Sequence, residues 1–287
     1  MKLVSYGRSG EERAGIHLGE VILDLEVARP GLGPGMRSVL ERADLETLRN
    51  LVESRDDLPR EALVPAQDVR LGPPVLDPSK IICLGLNYRG HAEEQDRPVP
   101  ERPLLFSKAS TSLAAGGDPI VLSTHTRMVD PEAELAFVLG RRARKVPLER
   151  AMEHVAGYTI LNDVTARDAQ KADRQWFRGK SFDTFGPCGP WLVTPDEIPD
   201  PHVLDISLSV NGETRQRANT RELIFDVPFL IHYISGTMTL LPGDMVATGT
   251  PAGVGVFREP PVFLSPGDRI DITIEAIGTL TNPVTAA

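Results

Sequence analysis

Residues Val129 to Gly140 read Val-Asp-Pro-Glu-Ala-Glu-Leu-Ala-Phe-Val-Leu-Gly, and this stretch constrains the fold more than any other. From Glu132 onward the residues alternate. A strand has a side-chain period of two, so Glu132 and Glu134 fall on one face. Leu135 to Leu139 is then a near-continuous apolar run, as in a strand buried on both faces. Two neighbouring carboxylates on such a strand repel each other unless a cation lies between them or one keeps its proton. A solvated edge strand with two surface glutamates fits the same residues, so the rest of the chain has to weigh in.

A chain of 287 residues suits one large domain, or one with a small appendage. Its 31 basic and 40 acidic residues leave a formal net charge of -9, which argues against nucleic acid as the main partner. No apolar run approaches the ~20 residues that span a bilayer. Met1 to Gly7 lack a signal-peptide core, so a cytoplasmic protein with no membrane partner is expected. Cys83 and Cys188 form no CxxC and are expected to be free thiols in a reducing compartment. With 25 glycines, 25 prolines and only 5% aromatic residues, short strands joined by turns are favoured over long helices.

Residues 1–70 read as a small N-terminal α+β domain, with strands at 2–6, 14–18 and 20–25 and helical spacing over 36–54. A Pro-rich link at 72–78 leads into a main domain at 75–287. There, a buried strand at 80–85 runs into a polar loop holding His91 and Glu94. On a helical turn these two are neighbours, and Glu94 would orient the imidazole; a surface histidine among surface acids fits as well. Lys108 ends a strand at 103–108 and reads as a solvated lysine that can attract an anion.

Residues 147–155 read as a helix with Leu148, Met152 and Val155 inward, and 157–163 as a strand delivering Asp163. A helix over 165–176 would put Asp163, Arg167 and Gln170 on one face, although Asp163 also suits a helix N-cap. Lys180 lies in a turn-rich loop. A strand at 204–211 meets the Asn211-Gly212 hairpin signal, with its return at 213–217. Asp226 caps a helix expected to bury Phe229, Leu230, Tyr233 and Ile234. The loop Gly249 to Gly255 lacks the Walker A lysine and the GxGxxG spacing, so it is not a nucleotide site. A last strand is placed at 269–277.

Glu132, Glu134 and Asp163 are hard oxygen donors with no cysteine or paired histidine ligand nearby. The set suits Mg2+ or Mn2+, and Ca2+ less well. Five segments then resemble the fumarylacetoacetate hydrolase family over residues 75–285. They are Gly85-Leu-Asn-Tyr-Arg-Gly-His91, Glu132-Ala-Glu134-Leu-Ala, Asn162-Asp163-Val-Thr-Ala-Arg167-Asp-Ala-Gln170, Gly179-Lys180-Ser-Phe-Asp and Gly243-Asp-Met-Val-Ala-Thr248-Gly-Thr-Pro.

The resemblance implies a mainly β fold with α, a mixed β-sandwich or β-roll catalytic domain, usually a homodimer. It implies a divalent metal on Glu132, Glu134 and Asp163, with His91 and Glu94 as a water-activating dyad. It further implies that Arg167, Gln170 and Lys180 stabilise developing charge and that Thr248 lines the substrate pocket. The larger eukaryotic hydrolase of the family has a further aspartate ligand where this chain has Leu84. The expected substrate is a small anionic 2-oxo acid. The leading expectation is hydrolytic C–C cleavage of an acylpyruvate-type 2,4-diketo acid through a metal-held pyruvate enolate. Isomerisation of hydroxymuconate-type diacids and decarboxylation of oxaloacetate-like acids draw on the same enolate.

Overall fold

The computed structural model describes residues 1–287, the side chain of Asp68 excepted. Its main sheet runs Leu63–Pro65, Val21–Asp24, Arg13–His17, Lys2–Tyr6, Gly186–Val193, Val155–Asn162, Ala133–Leu139, Met245–Ala247, Ile81–Gly85, Leu104–Lys108. A second sheet runs Glu213–Asn219, Asp205–Val210, Arg269–Ile274, Gly278–Ala286, Ile120–Leu122. The chain is thus mainly β with α, two mixed sheets packed face to face.

The carboxylate strand Ala133–Leu139 is interior. It pairs antiparallel with Val155–Asn162 on one side and with Met245–Ala247 on the other, so an exposed edge is excluded. Its odd positions, Leu135, Phe137 and Leu139, pack in one core with Ile206, Leu208 and Ile272 of the second sheet. Its even positions, Ala136 and Val138, pack in another core with Met36, Val39 and Leu48 from the N-terminal helices. Both faces are dry, which explains the apolar run. Each large side chain buried there contributes about 1.5–3 kcal/mol relative to exposure.

Residues of the N-terminal part enter the same sheet, because Lys2–Tyr6 pairs with Gly186–Val193. The helical spacing over 36–54 resolves into Met36–Arg42 and Leu45–Glu53, broken where Asp44 caps the second helix by accepting from Thr47 N–H. No helix is long and apolar enough to cross a membrane among the described residues.

Several local expectations change. Residues Leu148–His154 form a 3-10 helix in which Leu148 (48% exposed) and Met152 (36%) lie outward while Ala151 is buried. The helix after Asp163 is shorter than 165–176. Thr165–Ala166 is extended against Val129–Asp130, and the helix is Arg167–Ala172. Helix Val227–Thr237 is capped by Asp226 but buries Val227, Leu230, Ile231 and Ile234; Phe229 and Tyr233 stack at its side. A further strand, Gly278–Ala286, ends the chain; Gly278 and Pro283 obscure the alternation of its buried Leu280, Asn282 and Val284.

Candidate functional site

The start of the carboxylate strand and the end of its neighbour put three acids in one place. Ala133 is opposite Asn162, so Glu132, Glu134 and Asp163 converge where the two strands meet. Ligand oxygens from the three lie within 4.8 Å of one another, and all three residues are buried. Asn162 Oδ1 accepts the Glu132 N–H at 3.1 Å and Asp163 N–H donates to Glu132 O at 2.9 Å, which fixes the backbone there.

Cations hold two of the acids. Lys180 Nζ donates to Glu132 Oε2 at 2.6 Å and to Asp163 Oδ2 at 2.7 Å. Arg167 Nη2 donates to Glu132 Oε1 at 2.6 Å, its Nε to Asp130 Oδ2 at 3.0 Å and its Nη1 to Gln170 Oε1 at 3.2 Å. Lys108 Nζ donates to Asp163 Oδ1 at 2.8 Å and also to the carbonyl of Lys180. Glu134 alone has no basic partner; it accepts the Gly249 N–H at 2.9 Å.

The charge states follow. Burial acts to raise Glu132, but Lys180 and then Arg167 outweigh it and bring its pKa down to about 2. Burial, with Asp163 and Glu132 beside it, pushes the Glu134 carboxyl well above the usual carboxylate range. Burial also opposes the charge on Lys180, yet Asp163 and Glu132 hold it protonated. Four carboxyl groups, Asp130 included, thus lie beside Lys180, Arg167 and Lys108, and the one without a basic partner among the described residues is Glu134. A divalent cation bound by oxygen donors supplies what Glu134 lacks, so the residues present fit such an ion.

His91 and Glu94 are buried or half-buried on the turn following Tyr88, in helix Arg89–Glu93 and its cap. His91 Nδ1 lies 2.5 Å from Glu94 Oε1. A carboxylate only accepts, so Nδ1 carries the proton and Nε2 the lone pair. Gln95 Nε2 donates to that lone pair at 2.9 Å. Glu94 Oε2 accepts the Gly253 N–H at 2.9 Å, which ties this segment to the glycine loop.

That loop serves carboxylates, not phosphates. Gly249 N–H meets Glu134 and Gly253 N–H meets Glu94. Gly255 and Val256 N–H meet Asp130 at 2.8 and 3.0 Å. At Gly253 φ is +105°, and a Cβ would stand 2.1 Å from Arg215 O; at Gly255 it would stand 2.0 Å from Val262 O. Only glycine permits these approaches.

His91, Glu132, Glu134, Arg167, Gln170 and Lys180 share a cavity of about 940 Å³, walled by Phe106, Met128, Trp176 and Phe257. The family model described as fumarylacetoacetate (FAA) hydrolase C-terminal matches residues 80–285.

The chain belongs to the fumarylacetoacetate hydrolase family. It is 43% identical over 292 residues to an oxaloacetate tautomerase, mitochondrial, of Xenopus laevis, covering 99% of this chain and 90% of that protein. The fumarylacetoacetate hydrolase of Exiguobacterium antarcticum is 39% identical with a TM-score of 0.86, and the match covers 100% of both chains. The maleylpyruvate hydrolase of Sphingobium sp. SYK-6, solved with manganese(II) ion and pyruvate, is 35% identical with a TM-score of 0.81, again over 100% of both.

In this fumarylacetoacetate hydrolase-family chain one expected position changes. Thr248 does not line the cavity: it is fully buried and its hydroxyl donates to Leu135 O at 2.9 Å. Two residues later on the same loop, Thr250 faces the cavity, held by Gln216 Nε2 at 2.8 Å. Arg167 lines the cavity and pairs there with Asp130 and Glu132. Three residues were missed. Asp130 continues the alternation of Glu132 and Glu134 one step back, a signal that Pro131 masks. Lys108 is fully buried, contrary to its solvated reading. Gln95 follows Glu94 on the same turn as His91, four residues on.

Proposed function

We propose that this chain catalyses keto–enol interconversion of a small 2-oxo dicarboxylic acid, with oxaloacetate the first candidate. The observation that carries this reading is that His91, with Nδ1 on Glu94 and Nε2 capped by Gln95, shares one cavity with Glu132, Glu134 and the charged Lys180. The 43% identity to an oxaloacetate tautomerase along nearly the whole chain supports it.

Glu132, Glu134 and Asp163 would hold Mg2+ or Mn2+, which polarises a chelating 2-oxo acid as a Lewis acid. The chain's own groups do the rest. Gln95 withdraws from Nε2, and His91 accepts the proton from the carbon next to the 2-oxo group. Glu94 stabilises the resulting imidazolium. Lys180 Nζ, held protonated, balances charge developing on the enolate oxygen, with the Gln170 amide beside it. His91 then returns the proton to oxygen. Phe106, Trp176 and Phe257 limit water around these steps.

A second reading is hydrolysis of a 2,4-diketo acid. It is favoured by the His91–Glu94 pair, which can equally take a proton from water, and by the likeness to the maleylpyruvate hydrolase. The deciding experiment gives the purified protein, with Mg2+ or Mn2+, enol-oxaloacetate and, separately, acylpyruvates. Accelerated decay of the enol absorbance without C–C cleavage supports the tautomerase. Pyruvate release from acylpyruvates with no effect on the enol replaces it with the hydrolase.

A further inference from the structure

The charged side chains lining the cavity fall into two groups. Those at depth are already engaged: Glu132 with Lys180 and Arg167, and Glu134 with the Gly249 amide. Asp168, nearer the mouth, is engaged too, accepting from Thr126 Oγ1 at 2.6 Å and from the Arg127 and Ala169 N–H groups at 3.0 and 2.9 Å. Arg97 and Lys171 also line the cavity, both are exposed, and neither has an ion-pair or hydrogen-bond partner for its side chain among the described residues.

The two come from different elements. Lys171 lies in helix Arg167–Ala172, beside Gln170. Arg97 follows the His91 turn, where Asp96 at φ +52° reverses the chain and Arg97 N–H bonds back to Ala92 O at 3.0 Å. A protein of formal net charge -9 thus presents two uncommitted cations at the opening of its main cavity. They can meet an anionic group that stays at the mouth.

We propose that Arg97 and Lys171 form a charge selector that favours 2-oxo acids carrying a second, distal carboxylate. The inference rests on reading the cavity as a 2-oxo acid site, and it names the residues that set its substrate class. The 2-oxo carboxylate end goes inward and the distal carboxylate remains at the mouth. There it meets a guanidinium from the His91 segment and an ammonium from the Gln170 helix.

Calorimetric titration of the full-length protein with 2-oxoglutarate and with 2-oxopentanoate, in Mn2+ buffer, tests this. The two ligands share a five-carbon chain and differ in the distal carboxylate. The wild type should bind 2-oxoglutarate about tenfold more tightly, a modest preference because both cations are exposed. The double variant Arg97→Ala/Lys171→Ala should lose that preference by weakening 2-oxoglutarate alone, and Arg97→Lys should keep most of it. Equal affinities in the wild type, or a preference that survives the double variant, would overturn the selector. Selective binding without enol-oxaloacetate turnover would remove the tautomerase reading and leave the selector standing. Failure of both acids to bind would remove both.

Discussion

The floor of the cavity and its mouth are built in opposite ways. The floor lies on central strands, and the charges in it and directly beneath it mostly have two or three partners each: Asp163, fully buried behind the lining, has Lys108 and Lys180, and Glu132 has Lys180 and Arg167. The mouth stands on a short turn and a short helix, where Arg97 and Lys171 have none among the described residues and His91 is held by its own neighbours Glu94 and Gln95. Fixed charges at depth preorganise a reacting centre. Uncommitted groups at the mouth remain free to respond to a ligand. One exception crosses this division: Glu134 sits on the floor with an amide and no cation.

The largest expected effect comes from Glu132→Gln. It should lower activity by at least about 10²-fold, the scale of one preorganised charge. It should also destabilise the protein by about 3 kcal/mol, because Lys180 and Arg167 lose a buried counter-charge. Urea titration reads the second quantity. In chelator, the stabilisation from Glu132 is complete above the ordinary glutamate range near ~4.3 and is lost as pH falls toward its folded-state pKa of about 2.

Glu134→Gln should cost comparable activity but little stability, and this sharpens the exception. The pH dependence has the opposite sign. In chelator, the folded wild type holds the Glu134 proton after the unfolded chain has released it, so stability declines as pH rises above ~4.3. Glu134→Gln should flatten that decline in stepped-pH unfolding. A stability loss equal to that of Glu132→Gln would break the distinction between the two acids.

His91→Ala should slow proton transfer by about 10²-fold or more, with melting temperature and metal binding unchanged. Any oxaloacetate decarboxylation should fall less, because the acids and Lys180 remain. A matching loss in both reactions would assign His91 to a step they share. Gln95→Leu should have the smallest effect, about 2–10-fold, the scale of one net hydrogen bond. It should show as a changed pH–rate profile, since Nε2 is then uncovered in the free protein. An unchanged profile would mean that Gln95 does not mask the base.

Much of the site was legible because its signals are local. Glu132 and Glu134 show through a period of two, and His91 and Glu94 through a helical step of three. The interior place of their strand was foreshadowed by the apolar run to Leu139. Lys108 was not legible, since Asp163, which it holds, lies 55 residues further along the chain. Thr248 and Thr250 look interchangeable in a glycine-rich loop. The backbone that turns one onto Leu135 O and the other into the cavity depends on contacts from Gln216 and the carboxylate strand.

The amino-acid sequence by itself determined the donor chemistry: three carboxyl groups, a histidine with its carboxylate, and a lysine. The tertiary structure alone decided which charges were cancelled. Lys180 becomes the bridge between Glu132 and Asp163, Arg167 becomes their support, and Glu134 is left without a counter-charge. Arg97 and Lys171 keep no partner at the mouth among the described residues. The physical reason is range. Side-chain periodicity acts over a few residues, whereas ion pairing in a dry interior depends on which distant strands and loops the packing brings within about 3 Å.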